Sequence, residues 1–270
     1  MIATINESLV YSKQNIETPV GACSSQTFHV QLLPWDDVKG IIPMYSKFEV
    51  IDIATGKSFN VQRRAGRYHA DVQPLSSNDT KIMKEIYNGS WSWDRKAVII
   101  QVNGRLIAAS MHGMPHGAGA LQNNFPGHFC IHFYGSKTHI AKEMDLAHQL
   151  MVQRAAGQLE SYLKNISAQQ LVDVFLVAID QRDQEMMELI LSSGMNMEQI
   201  NEEIQAIEDI KRISSFEKDS SILITEEIID VSIYSKMEGR KKETIFIELR
   251  KESLFAPWKI SAVAFGKENR

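Results

Sequence analysis

The stretch Ala97–Ser110, AVIIQVNGRLIAAS, decides the first half of the fold. Two β-rich runs, Ala97–Val102 and Arg105–Ser110, flank Asn103-Gly104, a dipeptide that accepts the left-handed dihedrals of a two-residue hairpin turn. Upstream, FEVIDIATGKSFNVQRRAG (48–66) reads the same way, with a strand through Phe48, Val50, Ile51 and Ile53, a turn at Ala54-Thr55-Gly56-Lys57, and a return through Phe59 and Val61. Ser76–Tyr87 suits a helix: Ser77-Asn78-Asp79 can cap it, and Ile82, Met83 and Ile86 recur at helical spacing. Downstream come a Gly- and His-rich loop from His112 to Gly127, a short aromatic strand Phe129–Tyr134, and a helix over Asp145–Leu163. Residues 29–160 therefore read as a mostly β domain behind a polar lead-in, 1–28.

The remainder, 165–270, has a different grammar. Ser167–Ser193 predicts one amphipathic helix or a broken pair, with Leu171, Val174, Phe175, Ala178 and Ile179 on one face. Asn201–Ile213 predicts another, through Ile204, Ile207 and Ile210. Three strand-like runs follow, Ser221–Tyr234, Glu243–Arg250 and Trp258–Phe265. Helices before an antiparallel meander make the whole chain α+β. This order resembles the NTF2-like and cystatin-like cones, which implies an accessory domain that binds a ligand or forms a homodimer.

Composition narrows the function. The chain has 270 residues, 44% hydrophobic and 23% charged, as expected of globular protein. A net charge of −4, from 29 basic and 33 acidic residues, leaves no electrostatic footprint for nucleic acid. No apolar run reaches membrane-spanning length, so no membrane span is expected. All eight histidines and both cysteines, Cys23 and Cys130, precede residue 160. Residues 161–270 carry 14 basic and 20 acidic side chains, a net of −6, which leaves +2 for the first part. Nucleophiles, bases and soft metal ligands are thus confined to the first part. The opening MIATINESLVYSKQNIETPVGACSS lacks the basic and apolar regions of a signal peptide, and the lipoprotein-like Val20–Cys23 lacks its hydrophobic stretch.

The chemistry concentrates in SMHGMPHG (110–117) and GHFCIHF (127–133). A thiol attacking an acyl carbon needs a base and a set of oxyanion donors, and a Gly-rich loop with nearby histidines can supply both. The histidines around Cys130 predict a free thiol that ionises below its usual value of about 8.5. His69-Ala70-Asp71 reads as a surface turn or as a pair behind the site.

Over residues 45–155 the sequence resembles the L,D-transpeptidase (YkuD-like) catalytic domain. His112-Gly113 lies 18 residues before Cys130 and His116-Gly117 lies 14 before it, His128 precedes the cysteine by two, and Ile131 follows it. Gly127, Phe129 and His132 stand where that family has Ser, Gly and Arg. The resemblance implies a cofactor-free acyl transfer on peptidoglycan stem peptides in the cell envelope or outside the cell, although the absence of a signal sequence also suits the cytoplasm. Cys130 would form a thioester with His112 or His116 as base, His128 would shape the site, and Gly113, Gly127, Phe129 and His132 would line the substrate and oxyanion positions. The rival readings are a zinc peptidase using His69, Asp71, His116, His128, His132 and His139, and a non-catalytic cell-wall-binding protein.

Overall fold

Six antiparallel strands close on themselves in the computed structural model, which describes residues 29–139 and 141–266, without the side chains of 217–219. Strands β2 (Lys47–Asp52), β3 (Ser58–Ala65), β4 (Ala70–Pro74), β5 (Arg95–Val102), β6 (Arg105–His112) and β7 (Phe129–His132) pair in the circular order β2-β3-β4-β7-β6-β5. A two-residue strand, β1 (Val30–Gln31), lies parallel to the start of β6. Asn103 and Gly104 adopt φ of 50° and 71°, the paired left-handed turn that the dipeptide predicts. The polar lead-in 1–28, with Cys23, lies outside the described residues.

Strand alternation sorts the residues between two faces. Phe48 and Val50, Phe59 and Val61, Ala70 and Val72, Val98 and Ile100, Ile107 and Met111, and Phe129 and Ile131 fill the barrel interior. Their neighbours therefore point outward: Asp71 and Gln73 from β4, Ser110 and His112 from β6, Cys130 and His132 from β7. A six-stranded barrel has room only for side chains, so chemistry must sit on its wall. Helix α1 (Trp35–Ile41) closes one end, with Trp35 stacked on Phe133 at 5.7 Å. Helix α2 (Ser77–Ile86) covers β3 and β4 from a Ser76 cap whose hydroxyl accepts the Asp79 N–H.

Over the outer wall of β5 and β6 lies α3 (Leu146–Ala155), seated on the small side chains of Ala97 and Ala108. Gly157, at φ 68°, ends that segment and α4 (Leu159–Lys164) starts anew, so the single helix expected over Asp145–Leu163 is two. Then α5 (Ala168–Gln181), opened by a Ser167–Gln170 capping box, and α6 (Gln184–Ile190) form the broken pair. Helix α7 (Met197–Ile204) is shorter than the helix expected over Asn201–Ile213: Ile210 belongs instead to β8 (Asp209–Ser220). The meander therefore has four strands rather than three, with β9 (Ile224–Ser235), β10 (Gly239–Arg250) and β11 (Lys259–Phe265) in the order β11-β10-β9-β8. Ile229, Val231, Ile245, Ile247 and Leu249 pack toward Leu171, Val174 and Phe175 of α5. That core continues through Leu150 and Val152 of α3 to Ala108 on the barrel wall. One apolar layer thus joins the barrel to the α+β part, across the boundary that composition places near residue 160. No helix among the described residues is long and apolar enough to cross a membrane.

Candidate metal centre

Asp71 of β4 and Cys130 of β7 are register partners, so their side chains stand side by side on the outer wall. The Cys130 Sγ lies 3.7 Å from Asp71 Oδ1. His69, one residue before β4, is held by a tight turn at Gly66, where φ is 97° and a Cβ would meet the His69 carbonyl oxygen at 2.0 Å. The His69 ring is only 1% exposed. Its Nδ1 donates to the carbonyl of Lys137 at 2.6 Å. A carbonyl can only accept, so the neutral ring keeps a bare lone pair on Nε2. That Nε2 faces His139 Nε2 at 2.9 Å and Asp71 Oδ1 at 3.1 Å. His139 Nε2 is also 3.1 Å from the same carboxylate oxygen and 3.6 Å from Cys130 Sγ.

The Gly-rich loop brings two further imidazoles. His116 and His128 form an isolated antiparallel bridge, each N–H donating to the other's carbonyl at 2.9 Å. Gly127, at φ 130°, permits this approach: a Cβ there would lie 2.5 Å from the His116 carbonyl oxygen. Gln73 ties the loop to the wall, its Nε2 donating to the Gly127 carbonyl at 2.7 Å while its Oε1 accepts from Ala120 N at 2.9 Å. His116 Nδ1 donates to the Met114 carbonyl at 3.1 Å and His128 Nδ1 to the Ala118 carbonyl at 3.2 Å. Their Nε2 atoms face inward: that of His116 is 3.4 Å from Cys130 Sγ, and that of His128 is buried with no hydrogen-bond partner.

The ligand-type atoms of His116, His128, Cys130 and His139 all lie within 4.8 Å of one another, as do those of His69, Asp71, Cys130 and His139. Zinc bonds of about 2.0–2.3 Å in a tetrahedron imply ligand–ligand edges of about 3.3–3.8 Å. The three edges to Sγ, 3.4, 3.6 and 3.7 Å, fall in that range, and the nitrogen and oxygen edges of 2.9–3.1 Å are somewhat shorter. A committed Nδ1–H on a backbone carbonyl is the usual support of a metal-ligating histidine. It recurs here at His69, His116 and His128, so the residues present fit a metal ion.

The electrostatics point the same way. Burial acts to raise the Asp71 carboxyl, but its imidazole neighbours His69, His139 and His128 bring it below its usual value. Burial lowers His116 and His139, keeping their rings neutral. Burial, with Asp71 adding to it, pushes the Cys130 thiol well up. This corrects the expectation of a thiol that ionises easily: Cys130 is a free cysteine, but only 2% exposed and beside a carboxylate.

Four other expected site residues, His112, His132, Phe129 and Gly113, are not part of the cluster. His112 is not a hydrogen-bond partner of Cys130; it is buried beneath Trp93, with its Nδ1 unpartnered. His132, expected to line the substrate position, is sandwiched between His69 at 4.5 Å and His148 at 3.8 Å and is closed to substrate. Phe129 faces the barrel interior between Phe59 and Phe125, because strand alternation sends it inward when Cys130 points out. Gly113 is required by packing, since a Cβ there would meet the Tyr87 ring at 2.6 Å. The His69–Asp71 pair, read as a surface turn or as a pair behind the site, is not a surface turn: it is buried and belongs to the cluster. Sequence reasoning missed Gln73, Trp93 and the Ser110–His148 pair, whose Oγ and Nδ1 are 2.9 Å apart. The alternation through Asp71-Val72-Gln73 was the one available signal for Gln73.

No protein-family model matches the chain, and no curated protein matches it.

Proposed function

We propose that the cluster is a transition-metal centre, zinc by its donor set, and that the protein is a metal-dependent hydrolase of amide bonds. The carrying observation is the orientation of three imidazoles, His69, His116 and His128, which give their Nδ1–H groups to backbone carbonyls and turn Nε2 toward one thiol and one carboxylate. Mixed N, S and O donors suit zinc better than calcium or magnesium, which take oxygen ligands. His116, His128 and Cys130 would hold the ion, with Asp71 and His69 directly beneath and the fourth position, on the side of the exposed His139, left open to water or substrate. A bound zinc ion polarises a carbonyl and lowers the pKa of water. Cys130 provides a ligand on a strand paired on both sides, so the site has a rigid floor. Asp71 Oδ1 is placed to take a proton, and the half-exposed His139 marks the side from which substrate enters.

Peptidoglycan stem peptides are the substrate class that the His-Gly and Gly127–His132 resemblance supports, and a cell-envelope location goes with it. The assignments of 29–160 as an L,D-transpeptidase-like domain and of 165–270 as an NTF2-like accessory that dimerises belong to the same proposal. A second reading rests on one distance: His116 Nε2, 3.4 Å from Sγ and oriented through Nδ1, is placed to deprotonate Cys130 for thioester formation.

Metal analysis of the purified protein, with release of D-Ala from a tetrapeptide stem before and after chelation, decides between them. About one zinc per chain, with activity lost on chelation and restored by zinc, is the expected result. A metal-free protein whose activity survives chelation and traps an acyl group on Cys130 overturns the metal reading in favour of the thiol.

A further inference from the structure

The turn Pro43-Met44-Tyr45-Ser46, between α1 and β2, points two large side chains at solvent: Met44 is 55% and Tyr45 57% exposed. Tyr45 sits at φ 68°, a left-handed conformation that few tyrosines adopt. Hydrogen bonds hold it there. Tyr45 N donates to the Arg63 carbonyl at 2.9 Å, Gln62 Nε2 donates to the Tyr45 carbonyl at 3.1 Å, and Ser46 Oγ donates to the Pro43 carbonyl at 2.7 Å. Behind the turn the buried guanidinium of Arg63 donates to the carbonyls of Lys39, Ile42, Ala65 and Gly66 at 2.7–3.3 Å. One side chain thus ties the end of α1, the start of this turn and the turn after β3 into a single rigid edge.

That edge is ringed by cations. Lys47, Arg64, Arg67 and Lys137 form no ion pair among the described residues. Lys47 is the register partner of Gln62, and the Arg64 guanidinium lies 5.1 Å from the Tyr45 ring. The Arg67 guanidinium lies 5.4 Å from the Tyr68 ring, and Lys137 N donates to the Tyr68 carbonyl at 3.1 Å. The segments 38–48, 53–70 and 134–142 contain no Asp or Glu. Helix α1 adds Asp36, already paired with Lys39 at 2.5 Å, and Asp37, so the ring keeps a positive excess. Residues 161–270 carry a net of −6, so an anionic surface attracts this edge and repels the rest of the chain. An exposed thioether and phenol inside a ring of unpaired cations match the boundary of an anionic bilayer, where apolar groups enter and cations meet phosphates.

We propose that this edge of the barrel docks on a lipid bilayer that bears anionic headgroups. Met44 and Tyr45 enter the boundary between headgroups and acyl chains, and Lys47, Arg64, Arg67 and Lys137 lie at the level of the phosphates. A soluble polyanion would engage the cations alone and leave the rigidly presented Met44-Tyr45 pair without a role. The docked edge adjoins the candidate centre without including it: the Gly66 turn holds His69, and the Lys137 carbonyl accepts the His69 Nδ1–H. Docking is independent of the reaction that the centre performs.

Co-sedimentation of the full chain with lipid vesicles tests it. Vesicles of phosphatidylcholine mixed with phosphatidylglycerol are expected to bind the protein roughly tenfold or more tighter than phosphatidylcholine alone, and binding should weaken as salt rises. Each cation near such a surface strengthens binding about fivefold, so Arg64→Gln/Arg67→Gln is expected to lose about twentyfold. Met44→Ser/Tyr45→Asn removes the apolar pair, with asparagine keeping the left-handed backbone, and is expected to lose roughly tenfold. Urea midpoints of both double variants should match the wild type, which separates lost docking from lost folding. Absence of wild-type binding to the anionic vesicles, or equal binding to both kinds of vesicle, overturns the proposal. Full binding by folded Arg64→Gln/Arg67→Gln overturns it as well. Full binding by folded Met44→Ser/Tyr45→Asn also overturns it, and would mark the ring as a site for a soluble polyanion.

Discussion

Asp71 and Cys130 are opposite one another on paired strands, Oδ1 3.7 Å from Sγ, both on the outer wall of a closed barrel. Ionising a buried thiol beside a buried carboxylate is unfavourable in isolation, because burial penalises both anions and their charges repel. A cation shared between them removes both costs.

Cobalt substitution reads the thiolate directly. Protein loaded with cobalt(II) is expected to show a sulfur-to-metal charge-transfer absorption that disappears in Cys130→Ser while the weaker ligand-field bands remain. An unchanged spectrum in Cys130→Ser would remove the thiol from the centre.

Gly127→Ala tests the loop. The new Cβ would meet the His116 carbonyl at 2.5 Å and would demand a φ of 130° from a non-glycine residue, at a cost of about 1–3 kcal/mol. The His116–His128 bridge is expected to open and zinc affinity to fall at least tenfold, measured by competition with a chromophoric chelator. Wild-type affinity in this variant would show that the bridge does not position the ligands.

Stability should fall with acid. Burial lowers His112, His132 and His148 well below their usual value, so near and below pH 6.5 the unfolded chain binds protons that the folded chain refuses. The sign is then fixed: stability is full above about pH 6.5 and declines below it, by up to about 1.4 kcal/mol per pH unit for each such group. Urea midpoints of the metal-free protein between pH 7.5 and 5 check this, and His148→Gln is expected to flatten the slope. A midpoint that rises on acidification would contradict the burial of these rings.

Phe129→Ala separates packing from chemistry. Phe129 is fully buried in the barrel, so its loss is expected to destabilise the fold by about 3–5 kcal/mol. In the fraction that remains folded, zinc content should stay at the wild-type level. Loss of zinc with unchanged stability would place Phe129 at the site rather than in the core.

Local pattern was enough for much of the fold. The Asn103-Gly104 hairpin, the helix over 76–87, whose cap falls on Ser76 rather than on Ser77–Asp79, and the 48–61 hairpin follow from dihedral preference and side-chain period, which are properties of neighbours in the chain. The sequence by itself also determined where chemistry must lie, since all eight histidines and both cysteines precede residue 160. Where local preference is ambiguous the reading slipped: Ile207 and Ile210 continue a helical spacing from Ile204, yet β9 pairs with the segment from Asp209 and turns it into a strand.

Only the tertiary structure decided which histidines meet Cys130. His112 is followed by glycine as His116 is, but β6 runs through His112 and buries it under Trp93, while the loop turns His116 back onto the thiol. His69 and His139 stand 70 positions apart in the chain and become neighbours because β4 pairs with β7. Their meeting depends on barrel closure, a long-range event that no spacing within the sequence records. The same closure determines that Phe129 faces inward and Cys130 outward, and so separates a core residue from a ligand one position away.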